Sequence, residues 1–187
     1  MQISDRQLAW FSVILGAFLG LIPIFRDQIL RGGPVTLSDP EMTRFIMSLD
    51  EAAWLVVESV VLAKPGDVLI TKMPAISISD LAAVMIREQA PRYGHRPEDI
   101  EVRIVGPRPG EKLYEELMNE EETRRSLELE RYFVVRPAMA RDETSSYEGL
   151  TRESVGRAYN SANETLLSQE QLTSFLYEHG LIDEKAN

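Results

Sequence analysis

Residues 8–25 read LAWFSVILGAFLGLIPIF, eighteen consecutive positions without a charge. A run of that length sits at the lower limit for crossing a bilayer, and in any other setting it must lie in a core. Gly16 and Gly20 have the spacing of closely packed membrane helices. Asp5 and Arg6 precede the run, and Arg26, Asp27 and Arg31 follow it, so the flanks assign no orientation. Residues 1–7 carry no basic stretch, and no small-residue cleavage site is evident, so the run makes a poor secretion leader. The other reading is a buried strand over WFSVIL, a Gly turn and a helix starting near Pro23, since Pro is favourable at a first helical position. The residues alone leave both readings open.

Composition narrows the function classes. The chain has 187 residues, enough for one domain or one domain plus a tail. With 20 Lys+Arg against 30 Asp+Glu it carries a net charge of −10, which a nucleic-acid duplex repels. An apolar fraction of 44% excludes a disordered chain. No cysteine is present, which excludes a disulfide scaffold, a Cys nucleophile and a cysteine zinc site. Only His95 and His179 are available for a histidine centre, and they lie far apart in sequence. The cations are mostly Arg, the better partner for bidentate anion contacts.

Helical and strand signals alternate along the rest of the chain, which predicts an α/β class. Residues 34–47 are extended in character. A helix over 51–63, capped by Asp50, places Ala53, Trp54, Val57, Val60 and Val61 on an apolar face that reads as core. Residues 68–71 form a short buried strand. Ser77 or Ser79 caps a helix over 80–89 whose core face is Leu81, Val84 and Met85. Residues 101–105 alternate as a strand. A long acidic helix is expected over 111–129 and a last strand over 132–135. Residues 137–157 are polar and read as a linker. Ser168 and Gln171 form a capping box for a final helix that Gly180 stops. The expected organisation is a partial α/β domain over 1–137 and a linker with a helical tail over 138–187.

The stretch Gly106-Pro107-Arg108-Pro109-Gly110-Glu111 fixes a rigid loop between two elements. Arg108 is held in it, where a guanidinium fork meets phosphate or carboxylate bidentately. The plain alternative is a structural turn with Arg108 solvated.

Three motifs in order, GGPVTLSDPEMTRFIMSLDEAAWLVVES, PGDVLITKMPAISISDLA and VGPRPGEKLYEEL, resemble the later half of the CapD-type polysaccharide biosynthesis proteins. These are extended short-chain dehydrogenase/reductases of the UDP-N-acetylglucosamine 4,6-dehydratase group. The resemblance runs from about Trp10 to Pro137, and YNSANETLLSQEQL is similar to the family's C-terminus. Within the apolar run, Leu15, Gly16, Ile22, Pro23 and Phe25 match the family pattern. Trp10, Ser12, Val13 and Phe18 stand where the pattern has Arg, Gly, Asn and Arg. The resemblance therefore favours a strand, turn and helix over a membrane span.

The resemblance implies an α/β fold that is the C-terminal substrate-binding part of an extended Rossmann-type enzyme. It implies binding of a UDP-sugar, with Arg44 and Arg108 on the diphosphate and Glu111 accepting bonds from a ribose or sugar hydroxyl. For Arg44 the alternative is a surface ion pair with Glu41 or Asp50, and for Glu111 a first-turn helix carboxylate. The family uses NAD or NADP, held by a Gly-rich turn, and a Tyr-x-x-x-Lys pair for proton transfer. Neither is in this sequence: each of Tyr93, Tyr114, Tyr132, Tyr147, Tyr159 and Tyr177 lacks a Lys four residues on. The chain is expected to hold no cofactor or catalytic residue of its own, and to be inactive alone. Its expected partners are a UDP-sugar and either a separately encoded nucleotide-binding half or further copies of itself. A cytoplasmic location is expected. The other classes kept open are a non-enzymatic oligomeric interaction protein and a small membrane protein anchored by residues 8–25.

Overall fold

The computed structural model describes residues 20–139 and 147–182. The strand expected over residues 10–15, and most of the apolar run, lie outside these residues. The run's end emerges as helix α1, residues 20–30, which buries Ile22, Phe25 and Ile29 along one stripe. Among the described residues no helix is long and apolar enough to cross a membrane.

Extended residues 34–47 supply β1 (Val35–Leu37) and β2 (Thr43–Phe45). Helix α2 (Leu49–Leu62) follows, capped by Ser48 rather than Asp50. Ser48 Oγ accepts from the Glu51 amide at 3.1 Å, and the Glu51 carboxylate accepts from the Ser48 amide at 2.7 Å, a reciprocal box that satisfies two helix-end donors. Then come β3 (Val68–Thr71), β4 (Ala75–Ser77) and α3 (Ile78–Gln89), with Ser77 as the cap of α3. Leu81, Val84 and Met85 of α3 are fully buried, as the helical period predicts. Two short 3-10 turns, Ala90–Tyr93 and Pro97–Asp99, lead into β5 (Val102–Ile104).

The expected helix over 111–129 does not form. Its place is taken by β6 (Glu116–Met118), a single turn α4 (Glu120–Thr123) and β7 (Ser126–Leu129). The acidic residues favour helix locally, but two features overrule them. Asn119 closes a capping box with Glu122, which starts a new helix at 120 instead of continuing one. Leu127 and Leu129 then bury alternate positions, the period of a strand. The remaining elements are β8 (Tyr132–Val135), β9 (Leu150–Arg152), β10 (Tyr159–Asn160) and α5 (Gln169–Glu178).

A four-stranded antiparallel sheet runs β3-β8-β7-β9, and three two-stranded pairs complete the fold: parallel β1-β5, and antiparallel β2-β4 and β6-β10. One core packs α1, α3, α5 and β1 together. A second lies under α2, where Phe45, Met118, Phe133 and Tyr159 meet. Residues 147–182 enter both the sheet and the core. Strand β9 pairs with β7, Tyr147 is buried and hydrogen-bonds Asp67, and Leu172 and Leu176 of α5 are fully buried.

Trp54 corrects a second expectation. It is 61% exposed, and Val57, Val60 and Val61 are exposed with it. Helix α2 is apolar around most of its circumference, so the period could not say which side faces inward. The sheet takes the Ala52, Leu55 and Leu62 side instead.

Candidate functional site

The loop after β5 is built by its own backbone. Val105 donates its amide to the Leu37 carbonyl at 2.8 Å, tying the loop's entry to β1. Gly106 and Gly110 take φ of 83° and 85°, a region side chains with a Cβ avoid. Between them Pro107 and Pro109 fix φ on either side of Arg108. The Glu111 amide donates to the Arg108 carbonyl at 3.0 Å, and the Glu111 carboxylate accepts the Arg108 amide at 3.0 Å. Its other oxygen accepts from Ser38 Oγ at 2.9 Å. Glu111 therefore closes the Arg108 turn on itself and pins it to the segment after β1. The Arg108 amide, first, holds the Glu111 carboxyl below the usual carboxylate range against the opposing effect of burial, and Ser38 and the charges of Arg44 and Arg108 add to the lowering. Glu111 is thus a loop clamp, not the first-turn residue of a helix.

Arg44 approaches the same loop from β2. It is buried, and its guanidinium donates to the carbonyls of Thr43 at 2.7 Å, Leu113 at 3.2 Å and Lys112 at 2.9 Å. Its ionic partner is Glu115, 3.7 Å away, rather than Glu41 or Asp50. Burial pushes the Glu115 carboxyl up, more than the Arg44 charge and the Phe45 amide pull it down.

The fold thus brings Arg44, Arg108 and Glu111 together around one loop, with different duties. Arg108 is exposed at the loop's tip; Arg44 is spent beneath it, holding the carbonyls of its far end.

Three supporting residues escaped the sequence reading. Ser38 anchors Glu111. Thr43 and fully buried Ser161 share a hydroxyl hydrogen bond at 2.9 Å. Ser161 Oγ also accepts from the Glu115 amide at 3.0 Å, and the Ser161 amide donates to the Glu115 carbonyl at 2.8 Å. The signal available for Ser161 was its place in the YNSANETLL tail motif, 118 residues from Thr43.

Three tyrosines are shifted away from the range of a neutral-pH proton-transfer group. A tyrosine acting near neutral pH needs its pKa lowered. Burial raises the Tyr147 hydroxyl, and a hydrogen bond to Asp67 raises it further. Burial pushes Tyr159 up to about 12, and Tyr177, beside Glu88, also up to about 12. Strand β4 runs directly into α3 through Ser77 and Ile78, with no glycine to admit a pyrophosphate to the helix end. Among the described residues, no three His, Asp or Glu side chains gather as metal ligands.

Comparison with known proteins fits this architecture. A family model described as "Polysaccharide biosynthesis protein" matches residues 8–137. An uncharacterized membrane protein of Methanocaldococcus jannaschii is 45% identical over 168 residues, covering 90% of this chain and 48% of that protein. The capsular polysaccharide biosynthesis protein CapD of Staphylococcus aureus is 45% identical over 113 residues, 60% of this chain and 18% of CapD. A UDP-glucose 4-epimerase of Rickettsia rickettsii is 32% identical, covering 83% of this chain and 44% of the epimerase. The crystal structure of Pen from Bacillus thuringiensis superposes with a TM-score of 0.75 at 34% identity, over 86% of this chain and 46% of Pen. The chain spans about half the length of most of these relatives, and less than a fifth of CapD. The mixed α/β fold is that of the C-terminal part of an extended short-chain dehydrogenase/reductase. By the stretch matched and the identities found, the chain belongs to the polysaccharide biosynthesis protein family, among its CapD-type members.

Proposed function

We propose that this chain supplies the UDP-sugar-binding part of a nucleotide-sugar 4,6-dehydratase-like protein of surface polysaccharide biosynthesis, working in the cytoplasm. The observation that carries the reading is the Arg108 turn: an exposed guanidinium on a loop stiffened by two prolines and closed by Glu111. Arg108 meets the diphosphate with its planar fork. Little ordering entropy is lost, because the loop is already fixed. Arg44 adds positive charge from below and keeps the Lys112 and Leu113 carbonyls turned away from the anion. Glu111 orients Arg108 and, at the loop's open side, accepts a bond from a sugar or ribose hydroxyl.

The family's dinucleotide supplies the hydride chemistry, and the residues of this chain do not fit it. They offer no Gly-rich turn and no Tyr-x-x-x-Lys pair. The chain alone therefore binds without turnover and relies on a nucleotide-binding half.

Phosphorus NMR of UDP tests the binding step. Wild type should broaden and shift the β-phosphorus signal with roughly millimolar affinity, about 4 kcal/mol. Arg108→Ala should abolish the effect, and Arg108→Lys should restore only part, because an ammonium cannot replace the fork. Equal broadening by wild type and Arg108→Ala contradicts the assignment.

A further inference from the structure

Glu111 clamps the head of the Arg108 loop, but the loop's foot, residues 112–115, is held by other groups, and strand β10 brings them in. Tyr159 Oη accepts the Met73 amide at 2.7 Å and donates to the Met73 carbonyl at 3.1 Å, while its ring packs on Phe45 and Phe133. The Asn163 amide closes the following turn on the Asn160 side chain at 3.0 Å. Ser161 is thus fixed from both sides, and it is fully buried. Its hydroxyl meets the Glu115 amide at 3.0 Å, the Thr43 hydroxyl at 2.9 Å and the Thr43 carbonyl at 3.1 Å. A hydroxyl has one proton and two lone pairs, so all of these are satisfied when Ser161 accepts from Glu115 and Thr43 and donates to the Thr43 carbonyl. The same carbonyl takes the Arg44 guanidinium at 2.7 Å, and the Thr43 amide donates to the Leu113 carbonyl at 3.0 Å. Through these atoms Ser161 joins β10, β2 and the loop's foot at one point.

We propose that Ser161 is a positioning residue of the UDP site: its hydroxyl, shared with Thr43, holds the foot of the Arg108 loop in the form that takes the diphosphate. The inference rests on the reading of Arg108 as the diphosphate ligand. Without the hydroxyl the Glu115 amide loses its acceptor, and the foot relaxes to find another partner. Movement there draws the Lys112 and Leu113 carbonyls off Arg44 and disturbs the turn that Glu111 closes. Apparent affinity then falls in proportion to the time the loop spends outside its binding form.

Titration of UDP, followed by its phosphorus signal, tests the clasp. Ser161→Ala should bind about tenfold more weakly than wild type, the size set by losing roughly one net hydrogen bond. Equal affinity overturns the proposal. Two variants of Thr43 separate positioning from packing. Thr43→Val keeps the size and strand preference of threonine and loses the hydroxyl, whereas Thr43→Ser keeps the hydroxyl and loses the methyl. If the hydroxyl positions the loop, Thr43→Ser binds UDP as wild type does and Thr43→Val binds several-fold more weakly. The reverse order, which packing alone dictates, overturns the proposal. The Thr43 pair decides by itself in the event that Ser161→Ala does not fold. A wild type that leaves the UDP signal unmoved overturns the binding reading and this proposal with it, whereas failure of the clasp alone leaves wild type binding through Arg108.

Discussion

At the scale of single residues, two carboxylates four positions apart behave oppositely because their surroundings differ. Glu111 lies in the open and is held ionised by the Arg108 amide, whereas Glu115 is buried and resists ionisation despite Arg44. Glu111 has a lowered folded pKa, so its contribution to stability is present above the usual carboxylate value of 4.5 and fades as pH falls through the lowered one. Glu115 has a raised folded pKa, so its contribution is complete below 4.5 and is lost as pH rises through the raised one. Glu111→Gln should therefore match wild type best in acid and fall behind it towards neutrality. Glu115→Gln should gain on wild type over the same rise. Denaturant midpoints at a series of pH values check both signs, and parallel curves for the two variants contradict the assignment. Removing Arg44 leaves Glu115 buried without its cation. Arg44→Met should cost about 3 kcal/mol, the size typical when one partner of a buried pair is deleted.

Elements show what the sequence could and could not say. Helices α3 and α5 were legible because caps and apolar period agree: Ser77 and Ser168 start them, and Leu81, Met85, Leu172 and Leu176 are buried where the period puts them. Strands β3 and β8 were legible as short apolar runs between turns. The 111–129 stretch misled because acidic helix formers outnumber the one residue that decides, Asn119. Asn119→Ala should cost about 1 kcal/mol, the usual loss for a helix cap, read as a shift in denaturant midpoint. The side α2 turns inward was illegible for another reason: both sides are apolar, and only the sheet decides. In the candidate site, Arg108 and its stiff loop were legible from Pro and Gly alone. The Glu111 clamp and Ser161 were not, because they depend on contacts 73 and 118 residues apart. Gly106→Ala and Gly110→Ala should each cost about 1 kcal/mol from the left-handed backbone alone, since a Cβ at either meets nothing within 4 Å. Both should also weaken UDP binding by loosening the turn.

On the scale of the whole molecule, the proposed function makes one prediction about turnover. Tyr147, Tyr159 and Tyr177 are pushed up rather than down, and Trp54, Val57 and Val61 of α2 are exposed. Incubated alone with UDP-N-acetylglucosamine and NAD(P), the chain should form no 4-keto-6-deoxy sugar, as followed by mass spectrometry; reproducible turnover contradicts this. The central claim is that the Arg108 loop takes the diphosphate, and amide NMR during UDP titration tests it most directly. Shifts should concentrate on residues 106–115 and on Ser38, be absent in Arg108→Ala, and weaken as salt is raised. Shifts that persist in Arg108→Ala, or that fall on the α2 face instead, would contradict it.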